Sequence, residues 1–331
     1  MARNWKSVVA GPMALGALAL AALSPGAAGA GEFSDPAWPK VSLVTYHTGL
    51  RYWHASGNTA KDLYDTTGSL LVSRLTYEKL GMHSGEAFLR GDHSGGMFLK
   101  GYVGGGGIIS GNLKDEDFEP VTIPYSSTDG PQKGGSLFYG SLDVGYKIVR
   151  GGDFNIGAFV GYHYLKQKVE SYGCTQTASN MGCVPAIPDN FLGISQTNNW
   201  HSARLGLDAN FDLTDRLKLN VEAAWLPYVS MDGSDTHWWR IGSSFTGPIP
   251  EDGKGWGYQF EGVLSYQVNQ ALSVGVGGRY WHMRTTKGHT HFEGHVVGGG
   301  GRPQELRWTS DSYGMFVQGS IKLGPYKNDL F

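Results

Sequence analysis

The chain has 331 residues, a formal net charge of −2 and only 17% charged residues, against about 25% in typical soluble domains. Glycine contributes 51 residues, about twice its usual ~7% share, and aromatic residues make up 12%. A net charge this close to zero argues against nucleic acid as a partner. Few charges, many aromatics and many glycines favour a β-barrel with a lipid-facing wall over a soluble enzyme.

The N-terminal segment 1–30 has the three parts of a secretory signal peptide. Arg3 and Lys6 supply positive charge, 8–23 is rich in Ala and Leu, and 28–30 reads Ala-Gly-Ala, a typical cleavage site. A retained membrane anchor is the alternative, although the apolar stretch is short and interrupted by Gly and Pro. No later segment has the roughly eighteen consecutive apolar residues that a spanning helix needs. We therefore expect an exported chain without a helical membrane span.

From residue 40 onward, apolar residues tend to occupy every second position, most clearly in 154–164, 217–227 and 315–323. Amphipathic strands of about ten residues separated by turns are typical of transmembrane β-barrels. A soluble β-sandwich or a lipocalin-like barrel is the alternative. The pattern predicts one domain over 31–331 with ten strands, at roughly 41–54, 69–93, 96–108, 135–149, 153–172, 199–213, 217–232, 256–268, 271–285 and 310–324.

The connections between the predicted strands alternate between short and long. The short ones are 93–96, 150–152, 213–216 and 268–271, and the long ones are 55–68, 109–134, 173–198, 233–255 and 286–309. Short periplasmic turns and long outer loops are the asymmetry expected of outer-membrane barrels. We therefore predict an all-β fold, a ten-stranded antiparallel transmembrane β-barrel with long extracellular loops. Four charged residues are predicted to point inward and fill the lumen with ion pairs: Arg74, Glu78, Asp143 and Arg279.

Two acidic clusters lie on loops that this topology places at the same outer rim. In each cluster, two residues separated by one position point the same way along an extended segment. Asp115 and Asp117 form one pair, and two neighbouring carboxylates raise one pKa, so that one can share a proton while binding water. Asp235 and His237 form the other, and a carboxylate beside an imidazole fixes its tautomer and raises its basicity. Singly, each pair could be a solvated part of a polar loop; face to face, they could activate water.

At these residues the sequence resembles the omptins, which are ten-stranded outer-membrane endopeptidases of Gram-negative bacteria. The segment 71–79 reads Leu-Val-Ser-Arg-Leu-Thr-Tyr-Glu-Lys and 157–162 reads Gly-Ala-Phe-Val-Gly-Tyr, similar to strands of that family. The more specific similarity lies in 111–118, with the paired aspartates, and in 230–240, with Asp-Thr-His. These two loops follow the family's order and are separated by the same number of strands.

The resemblance implies a site that activates water for peptide hydrolysis at the cell surface. Asp115 and Asp117 match the paired aspartates that hold the water and the carbonyl group. Asp235 matches the residue that orients the histidine, and His237 matches the histidine that takes a proton from water. The resemblance also implies polypeptide substrates, contact with outer-membrane lipid, and lipopolysaccharide as an activator, with no other cofactor.

Two departures from the family concern acidic side chains that bind a basic substrate residue. Gly233 stands where one of these acids is expected, and Tyr52 or its neighbours stand at the top of the predicted first strand, where another is expected. Asp232 is a candidate replacement. The sequence therefore predicts weak or no preference for cleavage at Arg or Lys.

Cysteines and histidines form two further clusters in the predicted outer loops. Cys174 and Cys183 are close in the sequence, and an exported protein meets an oxidising compartment. We expect a local disulfide between them, with two free thiols as the alternative. His289, His291 and His295 could bind a metal ion, although a polar loop with scattered histidines is the simpler interpretation.

The sequence leaves three classes of function open. The first is an omptin-like endopeptidase, and the second is a non-catalytic barrel of the same shape, such as an adhesin, a receptor or a structural protein. The third is a lipid-modifying outer-membrane enzyme, which would need a Ser/His pair on the outer wall. The first two differ in whether the aspartate pair and the Asp/His pair face each other.

Overall fold

Ten antiparallel strands close into a barrel in the computed structural model, which describes residues 44–118 and 123–324. The strands are β1 (Val44–Tyr64), β2 (Leu71–His93), β3 (Met97–Asp117), β4 (Ser126–Arg150), β5 (Phe154–Gln176), β6 (Ile187–Asp212), β7 (Leu217–His237), β8 (Ile249–Gln267), β9 (Leu272–His291) and β10 (Pro303–Leu323). Each strand pairs with its neighbour in the sequence, and β1 closes the ring against β10. A 3-10 helix, Trp238–Arg240, follows β7. Within these ranges no helix is long and apolar enough to cross a bilayer, and the expected signal peptide, 1–30, lies outside the described residues.

The predicted ten-stranded antiparallel barrel is confirmed, but the predicted long loops are wrong in extent, because most of their residues are strand. The strands have 19 to 26 residues, and the five connections at one end, which we call the loop end, shrink to 65–70, 118–125, 177–186, 238–248 and 292–302. The opposite end, which we call the turn end, has connections at 94–96, 151–153, 213–216 and 268–271. Toward the loop end both faces of a strand carry polar residues, so the hydropathy alternation fades while the backbone ladder continues.

A belt of exposed apolar side chains circles the barrel between its middle and the turn end. Its members include Leu50, Val103, Leu142, Val160, Leu207, Val221, Phe260, Val276 and Val317. On β10 the belt runs from Tyr313 to Leu323, and about ten residues of a strand tilted by ~40° rise ~25 Å, the height of the lipid-facing band in such barrels. The strands continue beyond this belt toward the loop end, so side chains near their ends lie outside the membrane-spanning part.

The lumen at the level of the belt is filled by ion pairs. Arg51 contacts Glu86 at 2.9 Å and Glu261 at 3.1 Å, and Arg279 contacts the same two carboxylates at 2.7 and 2.6 Å. These four side chains come from β1, β2, β8 and β9, so the network spans the lumen. The barrel is therefore a closed scaffold and not an open channel.

Of the four charges predicted to fill the lumen, two are placed there and two are not. Asp143 is buried and bonds Arg204 at 2.5 Å, and Arg279 belongs to the network above. Arg74 instead lies on the outer face of β2, where it bonds Asp62 at 2.6 Å, and Glu78 lies on the same face. The prediction for these two was wrong because Leu75 and Tyr77 occupy the inward positions between them, and a shift of one residue exchanges the faces of a strand.

Candidate functional site

The four predicted site residues lie at the loop ends of β3 and β7, which stand on nearly opposite sides of the ring. Asp115 pairs with Thr128 of β4, and Asp235 pairs with Gln196 of β6, in regular antiparallel register. The expectation that these residues sit on loops is wrong, because the strands extend through them. Their positions are therefore set by the backbone hydrogen bonds of the barrel.

Asp235 and His237 form a hydrogen-bonded pair on the inner face of β7. His237 Nε2 lies 3.1 Å from Asp235 Oδ2, and the two side chains are 13% and 4% exposed. Burial alone would lower the pKa of His237, but the charge and hydrogen bond of Asp235 outweigh it, so this pKa is raised. Burial would likewise raise the pKa of Asp235, but His237 and a buried lysine described below hold it far below its usual range. Asp235 is therefore ionised.

Asp115 faces this pair from the opposite wall. Burial raises the pKa of Asp115 to about 6; the largest opposing effect is the charge of His237, while Asp117 and Asp235 raise it further. Asp115 in turn raises the pKa of His237. Asp115 pairs with the buried Leu75 and so points inward, as the buried Asp235 does, and the two walls therefore line the same cleft at the loop end.

Lys61, on the inner face of β1, is a residue of this cleft that the sequence did not reveal. Its Nζ donates to Asp235 Oδ2 and, at 2.8 Å, to Glu251 Oε1. The Lys61 side chain is 4% exposed, and those of Asp235 and Glu251 are 4% and 0% exposed. Burial would lower the pKa of Lys61, but the two carboxylates raise it, so it is a permanent cation. One buried cation thus holds the carboxylate that orients His237.

Glu251, from β8, is the second buried carboxylate that binds Lys61, and it lies at the bottom of the cleft. Its carboxylate accepts hydrogen bonds from Gln196 Nε2 at 2.9 Å and Trp308 Nε1 at 3.2 Å, in addition to Lys61. Burial raises the pKa of Glu251, Lys61 opposes this, and Asp235 adds to it. Tyr77 completes the floor from β2, and its pKa is raised first by burial and then by the nearby carboxylates, so its hydroxyl is neutral.

A continuing alternation would have predicted the inward position of Lys61. Arg51, Trp53 and Thr59 all point inward on β1, and Lys61 follows at an odd position. The prediction of a loop over 55–68 conceals this signal, because β1 continues through most of that range. Tyr52, the residue proposed for the top of the first strand, is instead 50% exposed on the outer wall, and β1 ends only at Tyr64.

Neither Asp232 nor Gly233 supplies an acidic side chain to the cleft. Asp232 is exposed on the outer face of β7, where its carboxylate accepts a hydrogen bond from Asn199 Nδ2 at 3.0 Å. Gly233 faces inward, but a Cβ there would come within 2.5 Å of the carbonyl oxygen of Thr197 and 2.6 Å of Asn198 Oδ1. The hypothesis that Asp232 replaces the missing acid is therefore wrong. At Gly233 the neighbouring atoms leave no space for a side chain.

The remaining predicted clusters are the two cysteines and the histidines of the loop end. A disulfide joins Cys174, near the end of β5, to Cys183 in the following loop, with Cα atoms 5.7 Å apart. His291 Nε2 bonds Asp252 Oδ2 at 2.6 Å. In the part of the chain that the structure describes, no group of three or more metal-ligating side chains occurs.

The cleft combines a base, its orienting carboxylate and a second acidic pair on the facing wall. A neutral imidazole can take a proton from water, and a carboxyl group with a pKa of about 6, as Asp115 has, can both accept and donate hydrogen bonds near neutral pH. This set of groups can activate water against a polarised carbonyl group.

Comparison with known proteins agrees with this architecture. The model of the Omptin family matches residues 137–297, which include Asp235 and His237 but not Asp115 and Asp117. The crystal structure of the outer-membrane protease OmpT from Escherichia coli is similar with a TM-score of 0.70 and 13% sequence identity, covering 84% of this chain and 97% of that chain. The toluene transporter TodX from P. putida gives a TM-score of only 0.29 at 10% identity, over 87% of this chain and 91% of that chain. No curated protein matches the sequence.

Proposed function

This chain is a divergent member of the omptin family, an outer-membrane barrel of Gram-negative bacteria, and on that premise we propose that it is an endopeptidase of the cell surface. The observation that carries the proposal is the hydrogen bond of 3.1 Å between His237 and Asp235, buried in a cleft that Asp115 faces from the other wall. The loop end, which holds the cleft, points to the cell exterior, and polypeptides are the substrates.

The dyad supplies the general base. Because Asp235 accepts the hydrogen bond from Nε2, the proton of neutral His237 resides there and Nδ1 is free to accept another. His237 Nδ1 takes a proton from water as the water oxygen attacks the scissile carbonyl carbon, and the imidazolium returns the proton to the leaving amine. Asp235 stays ionised throughout and stabilises the imidazolium.

The aspartate pair on β3 holds the water and the carbonyl group from the opposite wall. Near neutral pH a fraction of Asp115 carries a proton, because its pKa is about 6. In that form it donates a hydrogen bond to the carbonyl oxygen, where negative charge develops, while Asp117 accepts one from the water. Oδ1 of Asp235 has no hydrogen-bond partner among the described residues, which supports a role in accepting a further hydrogen bond from bound water.

Lys61 favours the ionised form of Asp235 and the neutral form of His237. Its Nζ contacts Oδ2 of Asp235, the same oxygen that bonds His237, and it lowers the pKa of both Asp235 and His237. We assign it the role of a positioning residue for the dyad. Lipopolysaccharide is proposed as an activator that binds the outer wall, and no other cofactor is proposed.

The test is cleavage of a diverse peptide library by refolded protein with and without lipopolysaccharide, read by mass spectrometry. His237→Ala and Asp235→Asn are expected to lower kcat/KM by about 10²–10⁴, the usual contribution of a positioned general base. His291→Ala is the matched control, because His291 also bonds an aspartate near the loop end but belongs to another strand pair. Full activity in His237→Ala would refute the mechanism, and a folded wild-type protein without cleavage under either condition would favour a non-catalytic barrel.

A further inference from the structure

A recess lined in part by aromatic side chains lies at the loop end, and one of these side chains, Phe245, also contacts the proposed base. The ring of Phe245, in the loop 238–248, lies 5.6 Å from the ring of His237. Phe292, in the loop 292–302, stacks on Phe245 with ring centres 6.3 Å apart and planes inclined by 19°. The aromatic surface therefore begins at the proposed base and continues away from it.

Backbone hydrogen bonds hold the two loops together as one wall. Thr246 N donates to the carbonyl oxygen of His295 at 2.9 Å, and Val297 N donates to that of Ser244 at 3.0 Å. Phe245 and Val296 pair between these two bonds as an antiparallel bridge. The paired backbone therefore joins the two loops into one wall of the recess.

The recess is large enough to hold one large side chain. Its volume is about 380 Å³, at the lower end of the range for ligand pockets. Phe245, Phe292 and Val296 form the apolar surface, and Thr66, Arg302 and Gln304 lie around it. The lining has no carboxylate, and its one charged residue, Arg302, is a cation. In the neighbouring cleft, the carboxylates of Asp235 and Glu251 are already paired with Lys61.

We propose that this recess is a substrate subsite that accepts a large apolar side chain, aromatic or branched aliphatic, close to the scissile bond. The proposal rests on the proposed endopeptidase function and adds its selectivity. An apolar side chain loses contact with water against Phe245 and Phe292, whereas a Lys or Arg side chain in the recess would be desolvated without an acidic partner and would lie near Arg302. Discrimination of about 10–100-fold in kcat/KM is typical of a pocket of this kind.

The test uses peptides that differ only at one position near the cleavage site, with Phe, Leu, Ser or Lys there, and measures kcat/KM with refolded protein and lipopolysaccharide. The wild-type protein is expected to prefer Phe or Leu over Ser and Lys by about 10–100-fold at one such position. Val296→Asp places a carboxylate in the recess and is expected to abolish or reverse this preference in favour of Lys. Phe292→Ala enlarges the recess and is expected to reduce the preference for Phe without creating one for Lys.

Val297→Asp is the matched control, since Val297 is the next residue in the same loop but is 43% exposed and does not line the recess. It is expected to retain the wild-type preference, and retained folding of each variant is checked by the shift in gel mobility between heated and unheated barrel. Cleavage by the wild-type protein with no apolar preference at any position would overturn this subsite while leaving the endopeptidase function intact. An equal change in Val296→Asp and Val297→Asp would also overturn it, and absence of all cleavage would overturn both proposals.

Discussion

Replacing Lys61 by Met removes the one cation that two buried carboxylates share. The Lys61, Asp235 and Glu251 side chains are 4%, 4% and 0% exposed, so water cannot take the place of the lost charge. Breaking a buried ion pair by removing one partner costs about 3–5 kcal/mol. We expect Lys61→Met to lose stability in this range, because one carboxyl group must then bind a proton or remain unpaired.

The same substitution should move the pH dependence of activity in a defined direction. Lys61 lowers the pKa of His237, so its removal raises that pKa further. Since His237 acts as a base only when neutral, the acid limb of the kcat/KM profile is expected to shift to higher pH. A purely structural role for Lys61 would lower stability without this shift.

Urea unfolding in detergent, followed by tryptophan fluorescence, measures the first effect, and peptide cleavage between pH 5 and 9 measures the second. Lys61→Arg keeps the cation and should retain the position of the acid limb. Arg74→Met is the matched control for stability, since Arg74 bonds Asp62 on the outer face with a side chain 40% exposed; such pairs contribute about 0–1 kcal/mol. Wild-type stability together with an unmoved acid limb in Lys61→Met would refute the reasoning.

Three further outcomes are expected. Activity of the wild-type protein should fall as pH falls through the raised pKa of His237, so the decline should begin above the ordinary histidine range; a rate that stays constant down to pH 5 would contradict a histidine base. Gly233→Asp should fail to create cleavage at Arg or Lys and should destabilise the barrel, since a Cβ would meet the carbonyl oxygen of Thr197 at 2.5 Å; peptide cleavage and urea unfolding measure the two effects. Replacing Cys174 and Cys183 by Ser should cost at most about 2–3 kcal/mol in unfolding experiments and leave barrel folding intact, and two free thiols in the unreduced wild-type protein, detected by mass spectrometry, would remove the basis of this expectation.

The number of strands could be predicted from the sequence because contact with lipid requires an apolar residue at every second position of a strand. Val160 and Val317 lie in the belt and face lipid, whereas the neighbouring residues in each strand face the lumen. Apolar residues therefore recur at every second position, and this alternation identifies the strand. Above the belt that constraint ends, and Asp115 and Asp235 therefore looked like loop residues although both are strand.

The proposed site was recognised in part for a related reason. The i, i+2 spacing within each pair carries chemistry that is visible in a single segment. Lys61 and Glu251 carry no local pattern, since each is one charged residue in a polar stretch. Only the closure of the barrel brings β1, β7 and β8 together at this point, and the same closure shows that Gly233 has no space for a side chain.

The ion pairs that fill the lumen affect the envelope as well as the barrel. A solute crossing through the centre would have to separate Arg51 and Arg279 from Glu86 and Glu261, which hold one another at 2.6 to 3.1 Å. Breaking buried pairs of this kind costs several kcal/mol each. Many copies can therefore reside in the outer membrane without making it permeable to small molecules. Under the proposed function, peptide fragments released in the cleft would leave toward the medium and would not enter the periplasm through this barrel.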